Sequence, residues 1–306
     1  MFAWKRILKV KLSNGTSAMI INGDSKKYAI TVSGKKYAST LADSCVIKIT
    51  NMSYGEIIKI IDGKFYNVTL YAGYESIGEF EMFEGGIFYI SNVKESLERN
   101  VVKLLCTSHL LASYGQSLIS LSFNAGVNMY SILSYLCELE GVSDASISQS
   151  LKDTVLSTEL NLENQSLASV IDAITSDEES SIVAVSDGIT SLVTVYDWLT
   201  CNTRLIKITA DKIIANQYPN LTTDGLTMTI LPTFQLCCGD TLEIDNSLIQ
   251  IDVTDTTSAS KNYAYYIDND GRYIIFSISY TLANRSSSYY YTITAKSRSL
   301  LQTYLE

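Results

Sequence analysis

The sequence predicts a mainly β protein with a small α+β insert, in which two β-barrel domains flank a small helical α+β domain. Short segments of alternating apolar and polar residues, separated by Gly and Asn turns, fill both ends of the 306-residue chain, as is typical of barrels and sandwiches. Apolar residues at helical spacing lie between them. The net charge changes from +4 in residues 1–105 to −11 in residues 106–200 and −2 in residues 201–306. We predict domains at residues 1–107, 108–200 and 201–306.

The first domain is predicted to consist of short strands joined by tight turns. Leu8, Val10 and Leu12 alternate with lysines, which indicates a half-buried strand. Asn14-Gly15 follows and is a strong hairpin signal. The later strands are predicted at Tyr28–Val32 before a Ser33-Gly34 turn, at Cys45–Thr50 before Asn51, in "IIKIIDGKFYNVTLYAG" on both sides of Asp62-Gly63, and in "GGIFYISNVKES" and "VVKLLCTS".

The middle domain is predicted to contain two helices and a hairpin. "NMYSILSYLCELEG" carries a helical apolar stripe, and Gly141 is suited to end that helix. Ser166 is the candidate N-cap of the second helix, and "SSIVAVSDGITSLVTVYD" predicts a hairpin around Asp187-Gly188. The two apolar stripes are Met129, Ile132, Leu133, Leu136 and Cys137, and Leu167, Val170, Ile171 and Ile174.

The last domain is again predicted to be β. "GLTMTILPTFQLCCGDTLEI" indicates a strand, a break at Pro232, and a turn at Gly239-Asp240 into another strand. "IQIDVTD" predicts a third strand. "RYIIFSISYTLA" and "SSSYYYTITAKS" predict a long pair of strands joined around Asn284-Arg285.

Candidate catalytic and metal-binding groups are few. Cys106 and His109 lie three residues apart, which favours a turn over a catalytic pair, since such pairs normally come from separate parts of a chain. The acidic cluster Ser176–Ser180 lacks the alternating ligands of a calcium loop, and Asp268–Arg272 is interpreted as a turn. Acidic residues are plentiful, but nothing singles out a glycosidase pair. We predict no enzyme activity, no cofactor and no metal site. The six cysteines, predicted to be buried free thiols, are Cys45, Cys106, Cys137, Cys201, Cys237 and Cys238.

Nucleic-acid, membrane and secretion signals are weak in this sequence. Lys26-Lys27-Tyr28 and Lys35-Lys36-Tyr37 are similar to basic-aromatic surfaces, but solvated loops or strand faces are the favoured interpretation. "EGGIF" lacks the Lys-Ser/Thr of a phosphate loop. No apolar run approaches the ~18–20 residues of a membrane span. Four basic residues lie where a signal peptide needs an apolar core, which predicts folding in a reducing cytoplasm. These are Lys5, Arg6, Lys9 and Lys11.

Three segments of the first domain, "IKITNMS", "VTLYAGYES" and "MFEGGIFYISNV", resemble phage baseplate hub proteins, the family shared by contractile tails and type VI secretion spikes. In that family a strand ending in Ala-Gly-Tyr is followed by a polar excursion, and a Phe-x-Gly-x-Ile segment leads back into the sheet. "VTLYAGYES" and "MFEGGIFYISNV" match this pattern. We expect the second strand to open at Phe83. The motif residues are Ala72, Gly73, Tyr74, Phe83, Gly85 and Gly86.

The later part of the chain follows the same family order. Pro232, Gly239 and Asp240 lie in a segment that resembles the second barrel of such hubs. Cys237 and Cys238 depart from the family, which more often has Pro or small residues there. The chain ends at Glu306, and we expect it to lack an appended lysozyme or long spike domain.

The resemblance implies a structural role in a virion. Two tail-tube-like barrels per chain, in a homotrimer, would form a pseudo-six-fold ring, which is how a three-fold hub can meet a six-fold tail tube. The implied partners are a tail tube or tube-initiator protein, a central spike protein and other baseplate proteins. DNA is implied only in transit through the lumen, with no membrane contact. Assembly is expected in the host cytoplasm.

Three alternatives stay open at this point. A distal-tail or tail-tube-type ring protein usually carries one such barrel. A virion glycan-binding module could use tyrosines such as Tyr289–Tyr291. A tail-associated peptidoglycan hydrolase is the least favoured, because the single histidine has no nucleophile arrangement around it.

The resemblance also leads to an expectation about the channel. A negative lumen repels phosphate and lets DNA slide, so we expect the axis to be lined by Asp, Glu, Ser, Thr and Asn. The N-terminal lysines are expected to face outward or toward neighbouring subunits.

Overall fold

The first part of the structure is a run of seven strands interrupted by one helix. In the computed structural model, the described residues are 5–23, 27–37, 43–96, 99–108, 118–139, 146–147, 149–166, 169–170, 182–186, 193–197, 204–214, 217–222, 225–251 and 270–297. The elements of this first part are β1 (Arg6–Ser13), β2 (Ala18–Asn22), β3 (Ala29–Tyr37), β4 (Ser44–Thr50), α1 (Tyr54–Asp62), β5 (Asn67–Tyr74), β6 (Gly78–Ser96) and β7 (Arg99–Thr107).

The middle part has its own small core. Its elements are β8 (Ile119–Phe123), α2 (Met129–Leu139), β9 (Ser146–Ile147), a 3₁₀ turn (Gln149–Lys152), β10 (Leu160–Gln165), β11 (Ile182–Ser186) and β12 (Val193–Asp197). Strands β8 and β10 pair, and β11 and β12 form the predicted hairpin, with β9 parallel to β12. The core residues are Ile119, Met129, Ile132, Leu133, Leu136, Leu151, Leu162 and Val170.

The two helices predicted in the middle part are partly confirmed. The α2 stripe from Met129 to Leu136 is buried as predicted. The hydroxyl of Ser166 accepts a hydrogen bond from the Ser169 N–H at 3.2 Å, as an N-cap does. Val170 of the second stripe is buried as predicted, whereas Leu167, Ile171, Ile174, Gly141 and Asp187-Gly188 lie outside the described residues.

The last part returns to β structure. Its strands are β13 (Leu205–Ile208), β14 (Asn220–Thr222), β15 (Gly225–Ile230), β16 (Thr241–Ile244), β17 (Gln250–Ile251), β18 (Arg272–Ala283) and β19 (Tyr289–Ser297). The predicted long pair is confirmed, since β18 and β19 are antiparallel on both sides of Asn284-Arg285. Short 3₁₀ turns lie at Ala210–Lys212 and Asn246–Leu248.

Fourteen of the strands form one sheet. Its order is β17-β14-β15-β19-β18-β3-β4-β7-β6-β5-β1-β2, and β13 and β16 join it through the pairing of β16 with β18. The first and last parts of the chain therefore meet at β3 and β18, and they share one core that runs from Leu8 to Ala295. The mainly β class is confirmed; closure into two barrels and the three domain boundaries stay predictions. None of the helices in the described ranges is long and apolar enough to cross a membrane.

Strand β1 shows how the alternating pattern produces the sheet. Leu8, Val10 and Leu12 are fully buried, while the lysines between them are half-buried on the other face. The Asn14-Gly15 hairpin to β2 is confirmed. Asn14 Oδ1 accepts hydrogen bonds from the N–H groups of Thr16 and Ser17 at 3.2 and 2.9 Å.

The predicted strand before Asp62-Gly63 is wrong, because residues Tyr54–Asp62 form helix α1. Ser53 and Glu56 form a capping box, in which the Ser53 hydroxyl accepts from the Glu56 N–H and the Glu56 carboxylate accepts from the Ser53 N–H. Ile57 and Ile60, three residues apart, are the buried pair on its inner face.

Two other strand boundaries are also corrected. Ser33-Gly34 is not a turn, because β3 continues through it to Tyr37. The strand after the Ala-Gly-Tyr motif begins at Gly78, five residues before Phe83, and the turn between the strands is Glu75–Ile77.

Candidate functional site

The junction between β3 and β18, together with the contacts of β19 beside it, is the candidate site, and we call it the seam. The ladder between the two strands runs from Thr31 opposite Ala283 to Tyr37 opposite Ser277. It fixes the orientation of the first part of the sheet relative to the last part.

A buried tyrosine side chain connects β19 with β1 and β5. Tyr289 on β19 accepts a hydrogen bond from the Gly73 N–H at 2.9 Å, and its oxygen lies 2.6 Å from the Ile7 carbonyl oxygen. Its ring packs edge-on against Tyr74, with 5.3 Å between centroids. Burial raises the pKa of Tyr74 to about 12, although the nearby Arg6 opposes the shift. The Tyr74 phenol therefore stays neutral at any ordinary pH.

Two polar side chains hold the flanks of the seam. Arg6 lies over the Tyr289 ring at 5.0 Å and donates to the carbonyl oxygens of Ala283, at 3.2 Å, and Ser286. Asn284 donates from Nδ2 to the Gly23 and Tyr28 carbonyl oxygens at 2.7 and 3.0 Å. Its Oδ1 accepts from the Ile30 N–H at 2.9 Å.

The packing around position 34, in the middle of β3, leaves room only for a glycine. A Cβ added there would lie 2.2 Å from the Tyr280 ring and 2.4 Å from the Ser44 carbonyl oxygen. Tyr280 is fully buried beneath the seam, and burial raises its pKa well above the usual range. No sequence pattern predicted these roles of Arg6, Tyr280, Asn284 and Tyr289. The only local signal was a glycine inside an alternating strand pattern, which marks close backbone approach.

The first group of predicted motif residues lies on β5 and β6. Ala72, Tyr74 and Phe83 are buried in the sheet core. An added Cβ would lie 2.2 Å from the Gly78 carbonyl oxygen at Gly73, and 2.1 Å from the Thr107 carbonyl oxygen at Gly85. At Gly86 the nearest atom would be 3.8 Å away. Packing therefore requires glycine at Gly73 and Gly85 but not at Gly86.

The second group of predicted motif residues lies in the connection between β15 and β16. Neither of these strands pairs with β5 or β6. Asp240 accepts from Arg204 Nε at 3.1 Å and from its terminal nitrogen at 2.5 Å, and from the Cys237 N–H at 2.8 Å. Gly239 has φ +90°, which favours glycine. Pro232 is buried in the same connection.

The described cysteines are free thiols, and the prediction of burial is confirmed for Cys45, Cys106 and Cys238, while Cys237 is half-buried. Cys45 and Cys106 are opposite each other on β4 and β7. Burial raises the pKa of Cys45 to about 12 and raises that of Cys106 as well. A protonated, buried Cys106 is a poor nucleophile. His109 and the side chains of Cys137 and Cys201 lie outside the described residues.

Other candidate groups have local structural partners. The hydroxyl of Tyr28 donates to Glu56 at 2.6 Å, and Lys27 pairs with the same carboxylate. Asp270 accepts from the Arg272 N–H at 3.0 Å in the predicted turn before β18. Asp268 and the acidic cluster Ser176–Ser180 lie outside the described residues. Among the residues that the structure describes, no three His, Cys, Asp or Glu side chains are grouped as metal ligands.

The tyrosine surface proposed for glycans is corrected. Tyr289 and Tyr291 are buried, and Tyr290 is half-buried. Successive strand residues point to opposite faces of a sheet, so two of the three rings enter the core.

No family model matches this sequence, and no curated protein resembles it closely enough to count as a match. Solved structures do resemble it. The 43 kDa tail protein of prophage MuSo2 from Shewanella oneidensis has a TM-score of 0.57 at 8% identity, over 98% of each chain. A tail protein from Neisseria meningitidis MC58 has a TM-score of 0.59 at 8% identity, over 96% of this chain and 97% of that chain.

A third structure connects the fold with secretion systems. The E. coli c3393 protein, a type VI secretion component with structural similarity to the T4 tail proteins gp27 and gp5, has a TM-score of 0.55 at 10% identity. The similarity covers 89% of this chain and 74% of that one. The chain shares the fold of phage tail proteins. The likeness spans nearly all of the two tail proteins, so it includes both parts of the sheet.

Proposed function

We propose that this protein is a structural baseplate hub of a phage tail, a homotrimer whose pseudo-six-fold ring joins the tail tube to the central spike and lets DNA pass. The observation that carries the proposal is the full-length tail-protein fold in which one chain contributes both parts of a single continuous sheet. A chain with both parts locked together by the seam supplies two ring positions at once. Three copies of the chain then supply the six positions of the ring.

The β2 end of the sheet supports assembly through strand pairing. Strand β2 pairs with β1 and is the last strand of the sheet order on that side. This edge strand has no charged residue, and its Ile20 side chain is 61% exposed. Monomeric proteins usually protect such edges with charges or bulges, so β2 is suited to add to a neighbouring subunit.

The likeness to the type VI secretion component supports a spike protein as a partner. We further propose that the chain has no catalytic activity of its own and that its place is the virion. A distal-tail or tail-tube-type ring remains the second candidate, because the same tail-protein fold supports it.

Light scattering across a concentration series tests the proposal. We expect a mass of three times the 33.8 kDa chain, alone or with the spike protein. A hexamer would favour the tail-tube-type ring. A single-chain mass even in the presence of the spike protein would overturn the hub.

An edge variant makes the same test specific to β2. Ile20→Lys adds the charge that protected edges carry and should shift the mass toward the monomer. Thr16→Lys, in the exposed turn before β2, adds the same charge and should leave the trimer intact. Equal masses for both variants would exclude β2 as the contact.

A further inference from the structure

Six neighbouring strands of the sheet carry only positive charge. These strands, β15-β19-β18-β3-β4-β7, lie wholly within the described residues, and they contain seven Lys or Arg and no Asp or Glu. The chain as a whole has a net charge of −9. The carboxylates are therefore kept out of the part of the sheet that crosses the seam.

One face of these strands is rich in hydroxyl groups. A single row of aligned residues crosses all six strands, and each of its side chains is exposed or half-buried. The residues on either side of this row on β15 and β19 point into the core. The row consists of Thr229, Thr292, Ser279, Lys35, Ser44 and Thr107. We call this row, together with Lys48, Lys103 and Lys296, the hydroxyl-lysine face.

The lysines of this face have no carboxylate partner among the described residues. Lys48 and Lys103 lie directly opposite each other on β4 and β7, and like charges in that position repel. The Lys296 ammonium lies over the ring of Phe276, 4.4 Å from its centroid. By contrast, four other lysines each pair with a carboxylate. These are Lys5, Lys9, Lys27 and Lys207.

We propose that the hydroxyl-lysine face contacts the phosphate backbone of double-stranded DNA without reading its sequence. Lysine, serine and threonine side chains are standard donors to phosphate oxygens. An anion beside Lys48 and Lys103 also relieves their mutual repulsion. The choice of DNA as the occupant rests on the proposed function, and it replaces the expected carboxylate-lined channel with a weakly basic, hydroxyl-rich wall.

An acidic protein is the less suitable occupant. Protein interfaces are built around buried aromatic and apolar anchors. The row across the six strands is polar throughout. The apolar side chains beside it are few: Val46 and Leu105 are half-buried, and Phe276 is 37% exposed. A few phosphate contacts bind DNA weakly and still allow it to slide.

The test is the binding of a short labelled duplex to the full chain, followed by fluorescence anisotropy at about 50 and 200 mM salt. Four phosphate contacts predict that this fourfold rise in salt weakens binding by about 150-fold. No binding at the lower salt would overturn the proposal. Poly-glutamate that binds as tightly as the duplex would overturn the assignment to DNA.

Two double variants, each lacking two lysines, test whether the duplex binds at the hydroxyl-lysine face. Lys48→Gln with Lys103→Gln leaves two contacts, so the same rise in salt should weaken binding by only about 12-fold. Lys5→Gln with Lys9→Gln removes the same charge from lysines that already have carboxylate partners, and should behave as the parent. Equal losses in the two double variants would overturn the placement on this face.

The oligomeric mass of the same samples separates this proposal from the hub itself. A trimer that fails to bind the duplex overturns only the DNA contact. A chain that binds the duplex through Lys48 and Lys103 but never assembles overturns the proposed hub. It still supports the proposed DNA contact of the hydroxyl-lysine face.

Discussion

A single buried side chain, Tyr289 on β19 of the last part, reaches Gly73 and Ile7 of the first part through its hydroxyl group. Tyr289→Phe removes the acceptor of the Gly73 N–H and the partner of the Ile7 carbonyl. Buried polar groups that lose their partner cost about 1–3 kcal/mol, so we expect a loss of this size in the free energy of unfolding, measured by denaturant titration. Tyr290→Phe, on the half-buried opposite face, should change it by less than about 0.5 kcal/mol. Similar losses in the two variants would contradict the role of this hydroxyl.

Glycine substitution tests the close packing at the seam. Gly34→Ala places a methyl group 2.2 Å from the Tyr280 ring, and we expect it to lower the free energy of unfolding by about 1–3 kcal/mol or more. Gly55→Ala in α1 meets no atom within 4 Å. Alanine is the better helix former by up to about 1 kcal/mol, so this control should be neutral or stabilising. A neutral Gly34→Ala would mean that the ring can move away.

At the scale of elements, the stability of helix α1 depends on the charge of Glu56. Burial alone would raise the pKa of Glu56, but hydrogen bonds from Lys27, Tyr28 and Ser53 outweigh it and lower the pKa from 4.5 to about 2. The folded state therefore gains stability above about pH 4.5 and loses it as the pH falls toward 2.

The Glu56→Gln variant checks this dependence. It should cost about 1 kcal/mol of unfolding free energy at pH 7, the upper scale of an ion pair near the surface, because Gln can still accept from the Ser53 N–H but carries no charge. The difference from the parent should shrink as the pH approaches 2, measured by denaturant titration across pH. Asp62→Asn, exposed at the other end of α1, should shift stability by about 0.5 kcal/mol or less. A constant Glu56→Gln difference at all pH values would contradict the assigned pKa.

Elements whose apolar residues follow one clear spacing were predictable from the sequence. Elements whose apolar residues fit both the strand and the helix spacing were not. The alternation in β1 fits only a strand, and the 3.6-residue stripe in α2 fits only a helix. Both predictions were correct. The isoleucines of α1 fit a strand as well as a helix, and only the Ser53–Glu56 capping box decides between them. At Gly34 the local turn preference was overridden by Tyr280, a residue far away in sequence. The Tyr289 hydrogen bond likewise joins residues 216 positions apart, which local patterns do not encode.

At the scale of the whole molecule, a shared core predicts shared unfolding. The large core contains residues from both ends of the chain, whereas the middle part packs around a separate, smaller one. We expect amide hydrogens of β4 and β18 to exchange with the same free energy of opening in native-state hydrogen exchange, and those of α2 with a lower one. Loss of protection in β18 at a denaturant concentration where β4 stays protected would contradict a single cooperative unit.

The order of synthesis gives the seam a consequence in time. Tyr37 of β3 pairs with Ser277 of β18, about 240 residues later in the chain. At ~5–20 residues per second, a ribosome needs roughly 10–50 s to make that interval. During this period β3 has no partner on one side, and an open strand edge is a template for pairing with other chains. A crowded polysome translating this message therefore exposes many identical β3 edges at once, and each edge closes only after β18 of the same chain has been made.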